Sequence, residues 1–337
     1  SSSAASDVYK RQIDMYAGRL RNQVSFMLSA CNFYMPIFEE ALDAYGLPLE
    51  LRYLPIIESA LNPSAVSRAG ASGLWQFMIG TGKIYGLESN SLVDERRDPI
   101  KATWAAARYL KEMYDIYGDW NLVIAAYNCG PGTINKAIRR ANGETDYWKI
   151  YNYLPKETRG YVPAFIAANY VMTYYCDHNI CPMETNIPAS TDTVQVNQNL
   201  HFEQIADLCN VPLDQIKSLN PQYKKQMIPG DSKPYTLRLP IDAISTFIDK
   251  QDTIYAHRAD ELFRNRKTVT VKDITPATRK TTSAVAGKGN LTYHTIKSGD
   301  TLSTIAGKYG VTIKDIQRWN GMSSTKIAAG KRLKIYK

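Results

Sequence analysis

The chain of 337 residues is too long for one typical domain and suits two or three. Its composition, 44% hydrophobic and 22% charged with a mean hydropathy of −0.33, is that of a globular protein able to build a sizeable core. No apolar run reaches the roughly 18 residues needed to cross a bilayer, which excludes a membrane-embedded reading by helices. The net charge of +9 is uneven: residues 1–240 carry 23 Lys+Arg against 24 Asp+Glu, whereas residues 241–337 carry 18 against 8. A basic tail suits any polyanion, including an acidic wall polymer, but no nucleic-acid motif accompanies it, so no nucleic-acid partner is expected. Cys31, Cys129, Cys176, Cys181 and Cys209 show no metal spacing and the histidines are scattered, so no metal and no cofactor are expected. Cys176 and Cys181 suit either a local pair in an oxidising compartment or two small buried thiols.

The polar start, Ser1-Ser2-Ser3-Ala4-Ala5-Ser6, has no apolar signal core and is compatible with a processed chain that has lost a signal or lipid anchor. From Tyr9 to Cys31 apolar residues recur near helical spacing (Ile13, Tyr16, Leu20, Val24, Met27, Leu28), and the pattern continues from Phe33 to Tyr45, stopping at Gly46. Pro48 suits the first turn of a helix running towards Glu58, and Asn62-Pro63 ends it. Asp98-Pro99 opens an alanine-rich helix from Ile100 to Tyr117, closed at Gly118. Trp120 to Asn128, Thr133 to Arg140 and Tyr161 to Tyr175 follow. Residues 7–182 therefore read as an all-α domain of about eight helices, with a motif core at about 46–175.

Composition shifts at Pro182 to Asp192. Residues 192–240 then read as strand, helix, helix, strand: Thr193–Val196, Phe202–Cys209, Leu213–Asn220, Tyr235–Leu239. Residues 291–337 repeat that grammar as Leu291–Ile296, Leu302–Tyr309, Ile313–Asn320 and Arg332–Tyr336. Ile205-Ala206 aligns with Ile305-Ala306, Val211 with Val311, and each second helix ends in asparagine (Asn220, Asn320), an internal repeat of about 47 residues. Between the copies, 241–290 reads as a linker, flexible over 268–290 where Thr, Lys, Ala and Gly dominate.

Cleaving a glycosidic bond near neutral pH needs a carboxylic acid whose pKa is raised by a desolvated site. Glu58 follows Tyr53-Leu54-Pro55-Ile56-Ile57 at the end of a short apolar helix, which suits that need, although a surface glutamate in a last helical turn has the same local pattern. Ser64 to Phe77 is a small-residue loop leading into Trp75 and Gln76, a stacking face beside an amide, although Trp75 packed in the core has the same local pattern and is the commoner outcome, and Ala126-Tyr127-Asn128 precedes a Gly130-Pro131-Gly132 break. No obvious second carboxylate stands near Glu58 in sequence; Asp94, Glu95 and Asp98 sit in a charged loop that reads as solvated.

Together Glu58-Ser59, Gly73-Leu74-Trp75-Gln76, Ala126-Tyr127-Asn128-Cys129-Gly130-Pro131-Gly132 and Glu157-Thr158-Arg159-Gly160-Tyr161-Val162 resemble, in order, the motifs of the lytic murein transglycosylase family of the lysozyme-like superfamily. Trp75 and Cys129 stand where that family has Met and Ala. Ile296-Lys297-Ser298-Gly299-Asp300-Thr301-Leu302 with Trp319-Asn320 is similar to a LysM domain, whereas Asn197-Gln198-Asn199-Leu200 departs from its turn, so the 192–240 copy is expected to be degenerate. A transglycosylase followed by LysM modules is the layout of membrane-bound members of the family.

The resemblance implies a multidomain fold, an all-α lysozyme-like catalytic domain followed by small βααβ LysM-like modules. It implies cleavage of the MurNAc-β-1,4-GlcNAc bond of peptidoglycan without water, leaving 1,6-anhydroMurNAc ends, with Glu58 as sole acid and later base. Ser67, Gln76, Asn128, Tyr161, Tyr127 and Trp75 would bind substrate, and Gly299, Asp300, Thr301, Ala328 and Gly330 would hold glycan in the LysM groove. It further implies a monomer in the bacterial cell envelope, periplasmic, with an outer-membrane lipid anchor compatible with the layout. A muramidase-type hydrolase and a non-catalytic peptidoglycan-binding protein are the competing readings.

Overall fold

The computed structural model describes residues 2–185, 187–264 and 291–336. The chain divides into two compact units, one holding the described residues up to 264 and the other those from 291. The first unit opens with nine helices: α1 (Ser2–Ala17), α2 (Arg21–Ala44), α3 (Leu54–Ser59), α4 (Ile79–Ile84), α5 (Pro99–Tyr117), α6 (Trp120–Cys129), α7 (Pro131–Arg140), α8 (Tyr147–Ile150) and α9 (Lys156–Thr173). Local chemistry sets several boundaries. Asp98 caps α5 by accepting from the amides of Ile100 and Lys101 at 3.0 Å each, Pro99 fills the first turn, and Gly118 closes it at φ +64°. Asp119 caps α6 in the same way through the Leu122 amide. Ala102, Ala105 and Ala106 form a buried stripe on α5, narrow enough for α2 and α6 to pack closely on either side. The core of this helical part runs from Tyr16 to Ile180 and is filled by Phe38, Trp75 and Tyr147.

Two helices differ from the sequence expectation. The segment entering Glu58 is a 3₁₀ turn, Leu49–Tyr53, followed by the six-residue α3. Helix α9 starts at Lys156 and runs through Pro163, whose missing N–H leaves the Arg159 carbonyl without its helical donor; the Tyr147 hydroxyl donates to that carbonyl at 3.4 Å.

A second core lies in the same unit. Strand β1 (Thr191–Val196) pairs antiparallel with β4 (Tyr235–Pro240), and β2 (Asn199–His201) with β3 (Met227–Pro229); α10 (Phe202–Cys209) and α11 (Leu213–Leu219) lie between. Three more helices, α12 (Ile241–Asp249), α13 (Gln251–Ala256) and α14 (Ala259–Phe263), follow directly. Residues 241–264 are thus not linker, as expected from composition: Ala243, Phe247, Ile254 and Tyr255 pack into this core at the period of an amphipathic helix. The flexible stretch expected at 268–290 lies outside the described residues.

Leu92 and Val93, from the loop between α4 and α5, belong to this second core and not to the first. The Asp94 amide donates to the Gln222 carbonyl and the Lys224 amide to the Leu92 carbonyl, each at 2.8 Å, so the helical part and the βααβ module share a short backbone ladder. Tyr235 donates to Glu88 at 2.9 Å and Lys233 pairs with the same carboxylate at 2.8 Å.

The second unit is β5 (Leu291–Thr295), α15 (Leu302–Tyr309), α16 (Ile313–Trp319) and β6 (Arg332–Tyr336), with β5 and β6 antiparallel around a small core of Ile296, Leu302, Ile305, Ile316, Leu333 and Ile335. The repeat seen in sequence is physical. Asn220 bonds the Ile216 and Arg238 carbonyls and accepts from the Arg238 amide; Asn320 makes the same three bonds to Ile316 and Lys334, at 2.7–3.0 Å. In each copy one side-chain amide ties the second helix to the last strand.

Candidate active site

Helix α3 buries Leu54, Pro55 and Ile56 and leaves Glu58 half-buried in its last turn. The chain then reverses through two consecutive left-handed residues, Ala60 at φ 51° and Leu61 at φ 57°, each costing about 1 kcal/mol or more for a side chain with a Cβ. The turn is held because Leu61 is buried and because the Ser59 hydroxyl lies 2.9 Å from the Leu74 carbonyl and 3.0 Å from that of Pro55. Ser59 therefore fastens the Glu58 helix to the loop that carries Gln76.

That loop is shaped by one arginine. Arg96 makes a buried two-pronged pair with Asp94 (3.0 and 2.9 Å) and donates to the carbonyls of Gly70 and Phe77 at 2.8 and 2.9 Å. Gly73, at φ +89°, lies so close to the Arg96 carbonyl that an added Cβ would stand 1.8 Å from it, so no other residue fits. Asp94 and Glu95, expected to be solvated, are 2% and 6% exposed. Their partners are Arg96 and Lys101, and the βααβ module covers them, which no local pattern reveals.

Glu58, Ser67 and Gln76 line one pocket of about 410 Å³, together with Tyr16, Leu20 and Gln23 from α1, the turn after it and α2. Glu58 is the one carboxyl among the described residues lining it. Tyr161 of α9 donates its hydroxyl to Glu58 Oε1. Burial pushes the Glu58 carboxyl up from 4.5 to about 7; the Tyr161 hydrogen bond opposes this and the charge of exposed Glu157 adds to it. Burial first, and then the charge of Glu58, hold the hydroxyls of Tyr161 and Tyr127 well above their ordinary range, so both remain donors.

The remaining sequence-named residues divide. Ser67 stands on the exposed rim, its hydroxyl accepting from the Ala71 amide at 3.0 Å. Gln76, itself left-handed at φ 53°, donates through Nε2 to the carbonyls of Ala65 and Gly73 at 3.0 and 2.8 Å, so that side of its amide builds the loop. Asn128 accepts from Thr158 at 2.9 Å, which places it beside α9 near Tyr161. Tyr127 donates to the Trp75 carbonyl. Trp75 is a correction: it is fully buried, edge-on to Phe38, with its indole N–H on Thr103 at 2.9 Å, and offers no stacking face to a ligand. Its period along a loop gave no sign of which way it faced. Sequence reasoning missed Tyr16 and Gln23, which no motif marks and only the fold of α1 and α2 over α3 brings to the pocket.

In the second unit Gly299 (φ +91°) and Gly330 (φ +89°) form turns, Asp300 accepts from the Lys297 amide at 2.9 Å and pairs with His294 at 3.0 Å, and Thr301 caps α15. Those contacts hold the Asp300 carboxyl below its usual range and order the turn, with Ala328 exposed opposite.

The chain thus carries a helical domain, with Glu58 as the one carboxyl among the described residues lining its pocket, followed by βααβ modules. Residues 35–150 match the transglycosylase SLT domain, 190–256 the LysM-like domain of lytic transglycosylase MltD, and 294–335 the LysM domain. The chain therefore carries a transglycosylase SLT domain followed by two LysM-type domains. It is similar to the membrane-bound lytic murein transglycosylase D of Escherichia coli (strain K12), 32% identical over 294 residues, covering 86% of this chain and 60% of that protein. The chain thus spans about three fifths of that relative's length. It is also 33% identical over 124 residues to the soluble lytic murein transglycosylase of the same strain, 35% of this chain and 19% of that one. Among solved structures, the 70 kDa soluble lytic transglycosylase of Escherichia coli is 29% identical, covering 42% of this chain and 24% of that one, with a TM-score of 0.37.

Proposed function

We propose that the chain cleaves the MurNAc-β-1,4-GlcNAc bond of peptidoglycan without water, leaving 1,6-anhydroMurNAc ends. The observation that carries this reading is Glu58: one carboxyl in its pocket, raised to about 7 and paired with a tyrosine that stays protonated. Most glycosidases divide acid and base between two carboxyls, and among the described residues no second carboxyl lines this pocket. A single group near neutral pKa serves both roles in turn. Protonated Glu58 gives its proton to the bridging oxygen as the C1–O bond breaks. The neighbouring acetamido oxygen of the substrate closes on C1 and holds the positive charge. The carboxylate left behind is stabilised by the Tyr161 hydroxyl, and then takes the proton of the C6 hydroxyl as that oxygen displaces the acetamido group. Every proton is returned and no water enters.

Ser67, Gln76, Asn128 and Tyr127 would position the strand around this exchange. The exposed turns at 299–301 and 328–330 would hold N-acetylglucosamine and keep the enzyme at high effective concentration on an insoluble polymer. The natural partner is the glycan strand of the wall, and the place of action the bacterial cell envelope. Among the described residues no helix is long and apolar enough to cross a membrane. Digested wall analysed by mass spectrometry tests the reaction: anhydro ends are expected, and reducing ends one water heavier would make the enzyme a hydrolase instead.

A further inference from the structure

The βααβ module spanning β1 to β4 does not present a LysM-type groove. The two loops that would form it are paired as β2 and β3, with Asn199 opposite Pro229 and His201 opposite Met227. Asn199 and Asp231 exchange bonds at 2.9 and 3.2 Å, and Gly230 lies so close to Gln198 that a Cβ would stand 2.3 Å from its carbonyl oxygen. Leu200, Met227 and Ile228 are fully buried beneath this zipper. The segment between α11 and β3 is bound to the helical part through Gln222 and Lys224. A sugar has no entry there.

The opposite side of the module faces a cavity of about 1220 Å³. One wall is α2, presenting Phe26 (40% exposed) and Phe33; the other is α11, presenting Asp214, Lys217 and Ser218. The floor includes Asn62 and Ser64, just past the left-handed turn. This cavity and the Glu58 pocket share Gln23, Ser59 and Ala60 in their linings, so the two adjoin. The volume exceeds the roughly 300–1,000 Å³ of a pocket for one small ligand, which fits an extended one. Its lining pairs apolar rings with hydroxyl, amide and charged groups, as a sugar strand requires for its C–H faces and hydroxyls, with Lys217 standing beside Asp214 and Glu184.

We infer that the module takes up the glycan through α11, as the far wall of an extended substrate cleft running from Glu58, and not through its LysM-type loops. This rests on the reading that the Glu58 pocket holds the scissile bond. The module is then part of the enzyme's specificity for strand length.

The test is full-chain Glu58→Gln protein titrated with muramyl glycans of increasing length, alone and with Ser218→Trp, which fills the cavity from α11. Unfolding midpoints are followed alongside, and Phe26→Ala on the opposite wall provides a second variant that leaves the module untouched. The affinity gained on lengthening the strand is expected to fall about tenfold in each variant, or about 1.4 kcal/mol. Length dependence equal to that of the parent in both folded variants would overturn the inference. Failure of the catalytic reading is separate: it would show as residual turnover by Glu58→Gln, while the binding titration still reports on the cleft.

Discussion

The two βααβ copies share a strand–helix–helix–strand grammar and the same asparagine staple, yet their loops do opposite things. In 191–263 the groove loops are zipped together, Gln204 is buried and bonds the Tyr255 and His257 carbonyls at 3.1 and 2.8 Å, and two added helices, α12 and α13, complete the core. In 291–336 the equivalent turn is open, capped by Thr301 and Thr304 on the surface. The repeat therefore preserves the packing that makes a module fold, while the loops differ, paired in the first copy and exposed in the second.

The largest effect should fall outside both modules and serves as the reference for them. Glu58→Gln keeps shape and removes the proton, and turnover should fall by about a thousandfold or more while glycan binding survives. Substantial residual turnover would remove Glu58 as the acid.

The comparison itself breaks most sharply at Val93. Val93→Asp places an unpaired charge in the second core from the helical part, and should cost about 3–5 kcal/mol. Urea unfolding should show the module and the helical part losing structure together. If the module alone unfolds and catalysis persists, the first copy is an independent module like the second.

Acid–base behaviour gives an intermediate effect. The folded-state pKa of Glu58 lies above its ordinary 4.5, so its neutral form is favoured by folding. A stability penalty therefore sets in as pH rises past about 4.5 and is complete above about 7. Glu58→Gln lifts that penalty: it should match the parent at acid pH and exceed it above neutrality by up to about 3 kcal/mol. Activity should fall as pH rises through about 7, because the donating form disappears. An acidic activity limit without a neutral one would contradict this.

The smallest effects sharpen the comparison. Asn220→Ala and Asn320→Ala remove the same staple, and each should destabilise its own unit by about 1–3 kcal/mol. The cost should be larger for buried Asn220 than for half-buried Asn320, read as separate shifts in unfolding midpoint. Asp300→Ala should loosen the open turn and lower sedimentation with insoluble wall severalfold.

Much of this was legible in one dimension. The motifs around Glu58, Gln76, Asn128 and Tyr161 depend on short-range spacing within helices and turns, and the repeat shows in its apolar pattern. Trp75 misled because its neighbours in a loop do not tell inside from outside; Phe38 and Thr103, which settle it, lie far away in sequence. Asp94 and Glu95 misled for the same reason, since their burial comes from Arg96 folding back and the module closing over them. Strands of three residues, such as β2 and β3, carry too few positions for any period to register.

By itself the sequence determined the helical domain, the candidate acid Glu58 and the two copies of the module, because these follow from local periodicity, caps and motif chemistry. Tertiary structure alone decided that Glu58 is raised to about 7 against Tyr161, and that the first copy closes its own groove and joins the helical part. Desolvation and loop pairing depend on which distant surfaces meet, and that is a property of the packed chain.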